Sequence, residues 1–184
     1  MGHVDRMTVK WPQVETARLN LRLVKPADAV PTALLVTPDV AANLSTWPSP
    51  LSAEQALAKI REAEQRAAER TALDCAIIDR SSGMLLGWVG LAATEDQNVR
   101  LGYWLGSEWR GRGLMKEAVG AFLPMAAAYL GVDCAVALVL ETNLPSIAVL
   151  KSAGFARAGE EDFHFQTANE RRICLKYIWR PRRK

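Results

Sequence analysis

The sequence lacks any uninterrupted apolar stretch of the ~18 residues that a membrane helix needs. Its first ten residues, Met1 to Lys10, also lack the apolar segment of a secretion signal. Cysteine is scarce: Cys75, Cys134 and Cys174 are odd in number, far apart, and each sits in an apolar run. That excludes a disulfide framework, and no CxxC pair or Cys/His cluster offers a metal site. The expectation is three reduced, mostly buried thiols, no metal, no membrane partner and a soluble cytoplasmic protein. Excess charge is missing too, because 23 Lys+Arg against 20 Asp+Glu leaves a net +3. Such a balance does not announce a nucleic-acid partner. Only the tail, Arg180, Arg182, Arg183 and Lys184, gathers basic charge, and a short basic terminus is most often a solvated, frayed one.

What is present is 184 residues with 49% hydrophobic content, enough for one sizeable core. No repeat, linker or low-complexity segment divides it. The expected organisation is therefore one domain over 1–184, with an ordered core of about 14–179 and a basic tail at 180–184.

The pattern along the chain mixes two periods. Residues 18–23 alternate as a half-buried strand does. From Lys25 an uneven helical stretch runs to about Leu44, broken by Pro31 and Pro38, and a Trp-Pro loop follows at Trp47 to Pro50. Ser52 and Gln55 have capping-box spacing, and Ala53, Leu57, Ile60 and Ala67 make an apolar stripe, which predicts a helix over 52–70. Strands are predicted at 72–79 and 84–94, joined as a hairpin by the turn residues Asp79 to Gly83, and a further strand at 99–105.

After that strand comes Trp109-Arg110-Gly111-Arg112-Gly113, then a helical pattern to about Leu130 with Pro124 inside it. A continuous apolar run, Cys134 to Leu140, has the character of a strand buried on both faces. Strand, helix and buried strand make a parallel unit with a right-handed crossover. Asn143 can cap one more helix, with Pro145 in its first turn and Gly154 just past its end. Strands at about 155–165 and 171–179 complete a mixed α/β chain.

The glycine turn is the richest signal. The first amides of a helix have no partner inside it, and the helix dipole makes that end electropositive. Gly111 and Gly113 let backbone approach an anion closely, and Arg110 and Arg112 add positive charge. The dinucleotide fingerprint would need glycine where Lys116 stands, and the GxxxxGK[ST] loop needs a Lys-Ser or Lys-Thr pair that is absent. Local chemistry leaves a diphosphate cradle and a purely structural tight turn both open.

Gly102-Tyr103-Trp104-Leu105, Trp109 to Met115, Asn143-Leu144-Pro145-Ser146 and Ala153-Gly154-Phe155 stand in an order that resembles the GNAT acetyltransferase superfamily. Glu15 to Leu19 and the Trp-Pro loop are similar to its ribosomal-protein N-terminal (alanine/serine) acetyltransferase branch, and the resemblance runs from about Thr16 to Tyr177. It implies a single central mixed sheet of about seven strands flanked by about four helices, splayed between the fourth and fifth strands. It implies acetyl-CoA as co-substrate, held by backbone around Trp104 and Leu105, by Arg110, Gly111, Arg112, Gly113, Leu114 and Met115, and by Asn143 and Ser146. The chain departs from the usual pattern at Glu108, where Gln or Arg is common. It also has no glutamate base on the strand 99–105, which reads Gln97, Asn98, Val99, Arg100 about its start, and no tyrosine acid beyond the last helix start.

Candidate bases are Glu141, at the end of the buried strand, and His164, between Phe163 and Phe165; Glu95 and Glu160 are weaker ones. Each also reads plainly, Glu141 as a solvated loop carboxylate and His164 as an ordinary hairpin residue. Ser146 either donates a proton to the departing thiolate or simply belongs to an Asn-x-x-Ser helix start. Trp47 is placed near the substrate; Tyr103 and Trp104 face opposite sides of the sheet, and the pattern does not tell which faces it. A missing base matches an α-amine, whose pKa of about 7.7–8.0 leaves roughly a tenth neutral at pH 7, better than lysine at about 10.4. The expected acceptor is a protein or peptide N-terminus, a ribosomal protein among them. The alternatives are a small amine such as an antibiotic or polyamine, or a silent acyl-CoA-binding module; a homodimer is left open.

Overall fold

The computed structural model describes residues 12–94 and 98–181. Eight strands form one sheet: β1 (Val14–Glu15), β2 (Leu19–Leu23), β3 (Ala72–Asp79), β4 (Leu85–Ala93), β5 (Val99–Leu105), β6 (Ala135–Val139), β7 (Ala156–Phe165) and β8 (Glu170–Trp179). Their order is β1-β2-β3-β4-β5-β6-β8-β7. All neighbours are antiparallel except β5 and β6, which run parallel and pair at one position, Arg100 opposite Val136. This is the mixed sheet that the resemblance implies, splayed where the fourth and fifth of the expected strands meet. The sheet has eight strands rather than seven because two residues ahead of Leu19 pair back on β2.

Five helices cover the sheet: α1 (Ala29–Leu35), α2 (Pro38–Ala41), α3 (Ala53–Ala68), α4 (Leu114–Leu130) and α5 (Leu144–Ser152). The stretch expected to run unevenly from Lys25 to Leu44 divides into a 3-10 turn at Pro26–Asp28, then α1 and α2. Pro38 opens the second of these helices behind Thr37, whose hydroxyl accepts from the Val40 amide at 3.4 Å. α3 starts with a complete capping box: the Ser52 hydroxyl accepts from the Gln55 amide at 3.2 Å, and the Ser52 amide donates to Gln55 Oε1 at 2.8 Å. Its buried stripe is Ala56, Ile60, Ala63 and Ala67, a step round from the expected one.

The two faces carry separate cores. α4 and α5 pack on one around Phe122, Leu123, Leu150 and Tyr177; α1 and α3 cover the other with Val40, Ile60, Trp88 and Trp104. α4 continues through Pro124 and buries eight residues, and each of its large side chains contributes about 1.5–3 kcal/mol. Cys75 and Cys174 are buried, Cys134 partly so, and none forms a disulfide. No helix among the described residues is long and apolar enough to cross a membrane. Glu95, Gln97 and the tail residues Arg182, Arg183 and Lys184 lie outside the described residues.

Candidate active site

The glycine turn feeds straight into α4. Gly111 and Gly113 have φ of +74° and +73°, the left-handed region in which a Cβ is strained, and Gly113 is the N-cap of the helix. The first amide of the helix to find a backbone acceptor is that of Glu117, bonded to the Gly113 carbonyl at 3.2 Å. Among the described residues the amides from Gly111 to Lys116 have none. These six N–H groups at the positive end of a 17-residue helix make an anion cradle.

The arginines beside it are turned to other work. Arg110 donates to Asp39 Oδ2 at 2.7 Å, joined there by the Ser107 hydroxyl, and Arg112 lies over the Trp109 ring. The cradle is therefore chiefly one of backbone.

It is fixed in place by the turn between β1 and β2. The Glu117 carboxylate accepts from the Thr16 hydroxyl at 2.6 Å, the Arg18 amide at 2.9 Å and Arg18 Nε at 2.7 Å, while Arg18 Nη1 donates to the Arg112 carbonyl at 2.9 Å. Burial acts to raise the Glu117 pKa, but the hydrogen bonds and charge from Thr16 and Arg18 outweigh it and hold it below the ordinary value.

Beyond Arg100 and Val136 the strands β5 and β6 part. At the end of β5 the Trp104 carbonyl points to β4, where a Cβ on Gly87 would meet it at 2.1 Å. In a planar trans peptide the next N–H points the opposite way, so the Leu105 amide faces the gap. Leu114 and Met115 bury their side chains beneath the cradle.

On the α4/α5 face, Tyr103 reaches over to the start of α5. Its hydroxyl lies 2.8 Å from Ser146 Oγ and donates to the Ser146 carbonyl at 3.2 Å. Asn143 caps that helix by accepting from the Ser146 amide at 3.2 Å, which leaves the serine hydroxyl for the tyrosine. Burial pushes the Tyr103 pKa up to about 12, with Ser146 acting the other way, so the phenol stays protonated. Trp104 faces the opposite side, packed edge-on against Trp47, which also meets Trp88.

That second face is bounded by charge and by a loop. Glu161 on β7 binds Arg100 at 3.3 Å and Lys176 at 2.9 Å, and Arg100 lies over Phe163. Ser45, in the loop before α3, accepts from the Gln166 amide and donates to the His164 carbonyl, and its own carbonyl accepts from the Thr167 amide. The Trp47 loop is thus tied to the β7–β8 turn.

The candidate bases scatter. Glu141 is exposed just after β6. His164 is exposed, its ring 3.3 Å from Asn169 Oδ1, on the side of β7 opposite Phe163 and Phe165. Glu160 pairs with Arg157 at the surface. Tyr103, Ser146 and Asn143 are joined by hydrogen bonds at the start of α5; Glu161 is a residue that sequence reasoning did not single out, and for Tyr103 it left open which face the side chain serves. Glu161 stands in the acidic run Glu160 to Asp162, where no local pattern sets it apart.

The acetyltransferase (GNAT) domain profile matches residues 18–156, three quarters of the sequence and every element from β2 to the start of β7. The chain belongs to the GNAT acetyltransferase family. This GNAT enzyme is an acyltransferase that transfers acetyl groups. Solved structures share its fold: the ribosomal-protein-S5-alanine acetyltransferase from Vibrio fischeri is 20% identical with a TM-score of 0.79, covering 92% of this chain and 96% of that one. RimJ from Mycobacterium smegmatis, in complex with CoA-disulfide, is 19% identical with a TM-score of 0.75 over 88% and 81%. The microcin C7 self-immunity acetyltransferase MccE, in complex with acetyl-CoA and AMP, is 15% identical with a TM-score of 0.78 over 90% and 94%. No curated protein sequence matches the GNAT chain.

Proposed function

We propose that this GNAT enzyme, acting as a single domain, acetylates the α-amine of a protein or peptide N-terminus by direct attack within a ternary complex. The observation that carries this is the engagement of the carboxylate on the second face: Arg100 holds one Glu161 oxygen at 3.3 Å and Lys176 the other at 2.9 Å, so neither is free to meet an incoming amine. An acceptor that is neutral without help is favoured, and an α-amine is neutral far more often than a lysine side chain at pH 7. The Vibrio fischeri enzyme named for ribosomal protein S5 makes a ribosomal-protein N-terminus the first acceptor to try.

The residues present fit acetyl-CoA, which supplies the acyl thioester. The free amides from Gly111 to Lys116, with Leu114 and Met115 among them, suit its diphosphate. The Leu105 amide, next to Trp104, is a donor for a carbonyl oxygen in the gap. Asn143 fixes the start of α5, and Ser146 Oγ, positioned by Tyr103, would give its proton to the departing thiolate and recover one from the acetylated amine. Glu141 and His164, both exposed, remain candidate bases.

The test compares acetylation of a peptide with a free N-terminus with that of the same peptide blocked at its N-terminus and carrying an internal lysine, alongside a panel of small amines. The free terminus is expected to react faster at pH 7. Faster lysine acetylation, or acetylation of small amines only, rejects the N-terminal reading; acetyl-CoA binding with no thiol release on any amine turns it into a silent module.

A further inference from the structure

The face of the sheet beneath α1 and α3 contains an unusual row. Strand register sets Asp74 of β3 beside Gly90 of β4, and Gly90 beside Gly102 of β5. A Cβ at Gly90 would lie 2.0 Å from Asp74 Oδ1, so the carboxylate occupies the place where a side chain at 90 would stand. A Cβ at Gly102 would meet nothing within 4 Å. The row is therefore a trough with a glycine floor, headed by a carboxylate and open at its far end to the gap between β5 and β6. Ala76, Trp88 and Trp104 form the neighbouring row on one side, and Ala72, Ala92 and Arg100 the row on the other.

Asp74 has no hydrogen bond or ion pair to its carboxylate among the described residues, although it is only partly exposed. Arg66 and Lys59 of α3 act on it through space without forming an ion pair: Arg66 pairs with Glu62 at 3.7 Å, and Lys59 sits over the Trp47 ring. A carboxylate without a direct partner in such a place is costly to keep, and desolvation accordingly pushes its pKa up to about 6. Asparagine would fill the same volume at less cost, so the charge itself calls for a use.

From the proposed function, which places the reacting amine at the gap, we infer that Asp74 anchors a second cationic group on the acceptor. The trough sets the spacing. One strand step of about 4.8 Å separates Gly90 from Gly102 and a further half to whole step reaches the gap, so the two nitrogens stand roughly 7–10 Å apart. A lysine or arginine side chain in the first two residues of a peptide spans that length, as does the far amine of a five-carbon diamine. The glycine floor admits a thin aliphatic stem, and the tryptophan wall gives it apolar surface to lie on.

The experiment uses the full chain and its Asp74→Asn variant with the peptides Ala-Lys-Phe-Ala and Ala-Met-Phe-Ala and with cadaverine. The wild type is expected to favour the lysine peptide by about 10-fold in kcat/KM, and the variant to lose that preference while keeping the methionine peptide within about 2-fold. A preference that survives in the variant, or a wild type that ignores charge in both peptides and in cadaverine, overturns the anchor. Asp74-dependent use of cadaverine with neither peptide acetylated keeps the anchor and rejects the peptide reading. Should no amine react, 13C NMR of the Asp74 carboxyl, assigned with the variant, still decides: the lysine peptide or cadaverine lowers its titration midpoint if the anchor is real, and an unmoved midpoint refutes it.

Discussion

The Tyr103 hydroxyl stands 2.8 Å from the hydroxyl of Ser146, linking β5 to the first turn of α5 across the line where the sheet opens. A phenol held protonated by burial can donate to the serine carbonyl or hydroxyl, which frees the serine proton for the gap. Ser146→Ala is expected to lower kcat about 10- to 100-fold with little change in the KM for acetyl-CoA. Tyr103→Phe should cost somewhat less, and the double variant no more than Ser146→Ala alone, because the two act as one unit. Steady-state kinetics checks this; full additivity would separate them. With the Tyr103 pKa near 12, no loss of rate below about pH 10 should trace to its ionisation.

Gly111 holds φ of +74° with empty space where a side chain would go. Gly111→Ala therefore meets no clash, and its cost is the left-handed backbone, about 1–2 kcal/mol. The expected outcome is a folded protein, a melting temperature lowered by a few degrees, and acetyl-CoA affinity reduced about 10-fold by calorimetry. Unchanged affinity would remove this turn from the binding site.

Glu117 ties α4 to the start of β2, and its carboxyl pKa is held below the ordinary value in the fold. A depressed carboxylate contributes stability that is fully present above the ordinary carboxylate range and is lost as pH falls through the folded value. Glu117→Gln should cost about 1–2 kcal/mol at pH 7 and less at acid pH, as the carboxylate takes up its proton. Urea unfolding at neutral and acid pH reads the difference.

Asp74 works with the opposite sign. Its folded pKa of about 6 lies above the ordinary 3.8, so the charged form penalises the fold fully above about pH 6, and the penalty fades as pH falls towards 3.8. Asp74→Asn should raise stability by on the order of 1–3 kcal/mol at pH 7.5, with the gain shrinking by pH 4. Equal stability of the two proteins at pH 7.5 would show that water or a counter-ion already satisfies the carboxylate.

The local signals were legible wherever one short segment decides its own shape. Ser52 with Gln55 marks the start of α3, Asn143 with Pro145 that of α5, and the glycines before Leu114 that of α4. Alternation along β5 separates Tyr103 from Trp104, but only the placement of α5 and α3 decides which side each one serves, and that depends on residues forty or more positions away. Asp74 shows the same limit: its charge between Leu73 and Cys75 is visible in the sequence, while the glycine that makes room for it, Gly90, comes from β4 and meets it only through register, as Gly102 of β5 meets Gly90. Arg110 stands beside the cradle in sequence, yet Asp39 of α2 takes its guanidinium, a partner that no local pattern announces.

A sheet ordinarily has two rims, and this one has four. Because β5 and β6 share a single rung at Arg100 and Val136, two strand borders with unspent donors and acceptors lie in the middle of the molecule. Such borders elsewhere invite a neighbouring chain to add itself. Here α4 connects the two strands and Tyr103 reaches from one of them to α5. The opening suits something slimmer than a polypeptide ladder, carrying amide groups along a flexible arm.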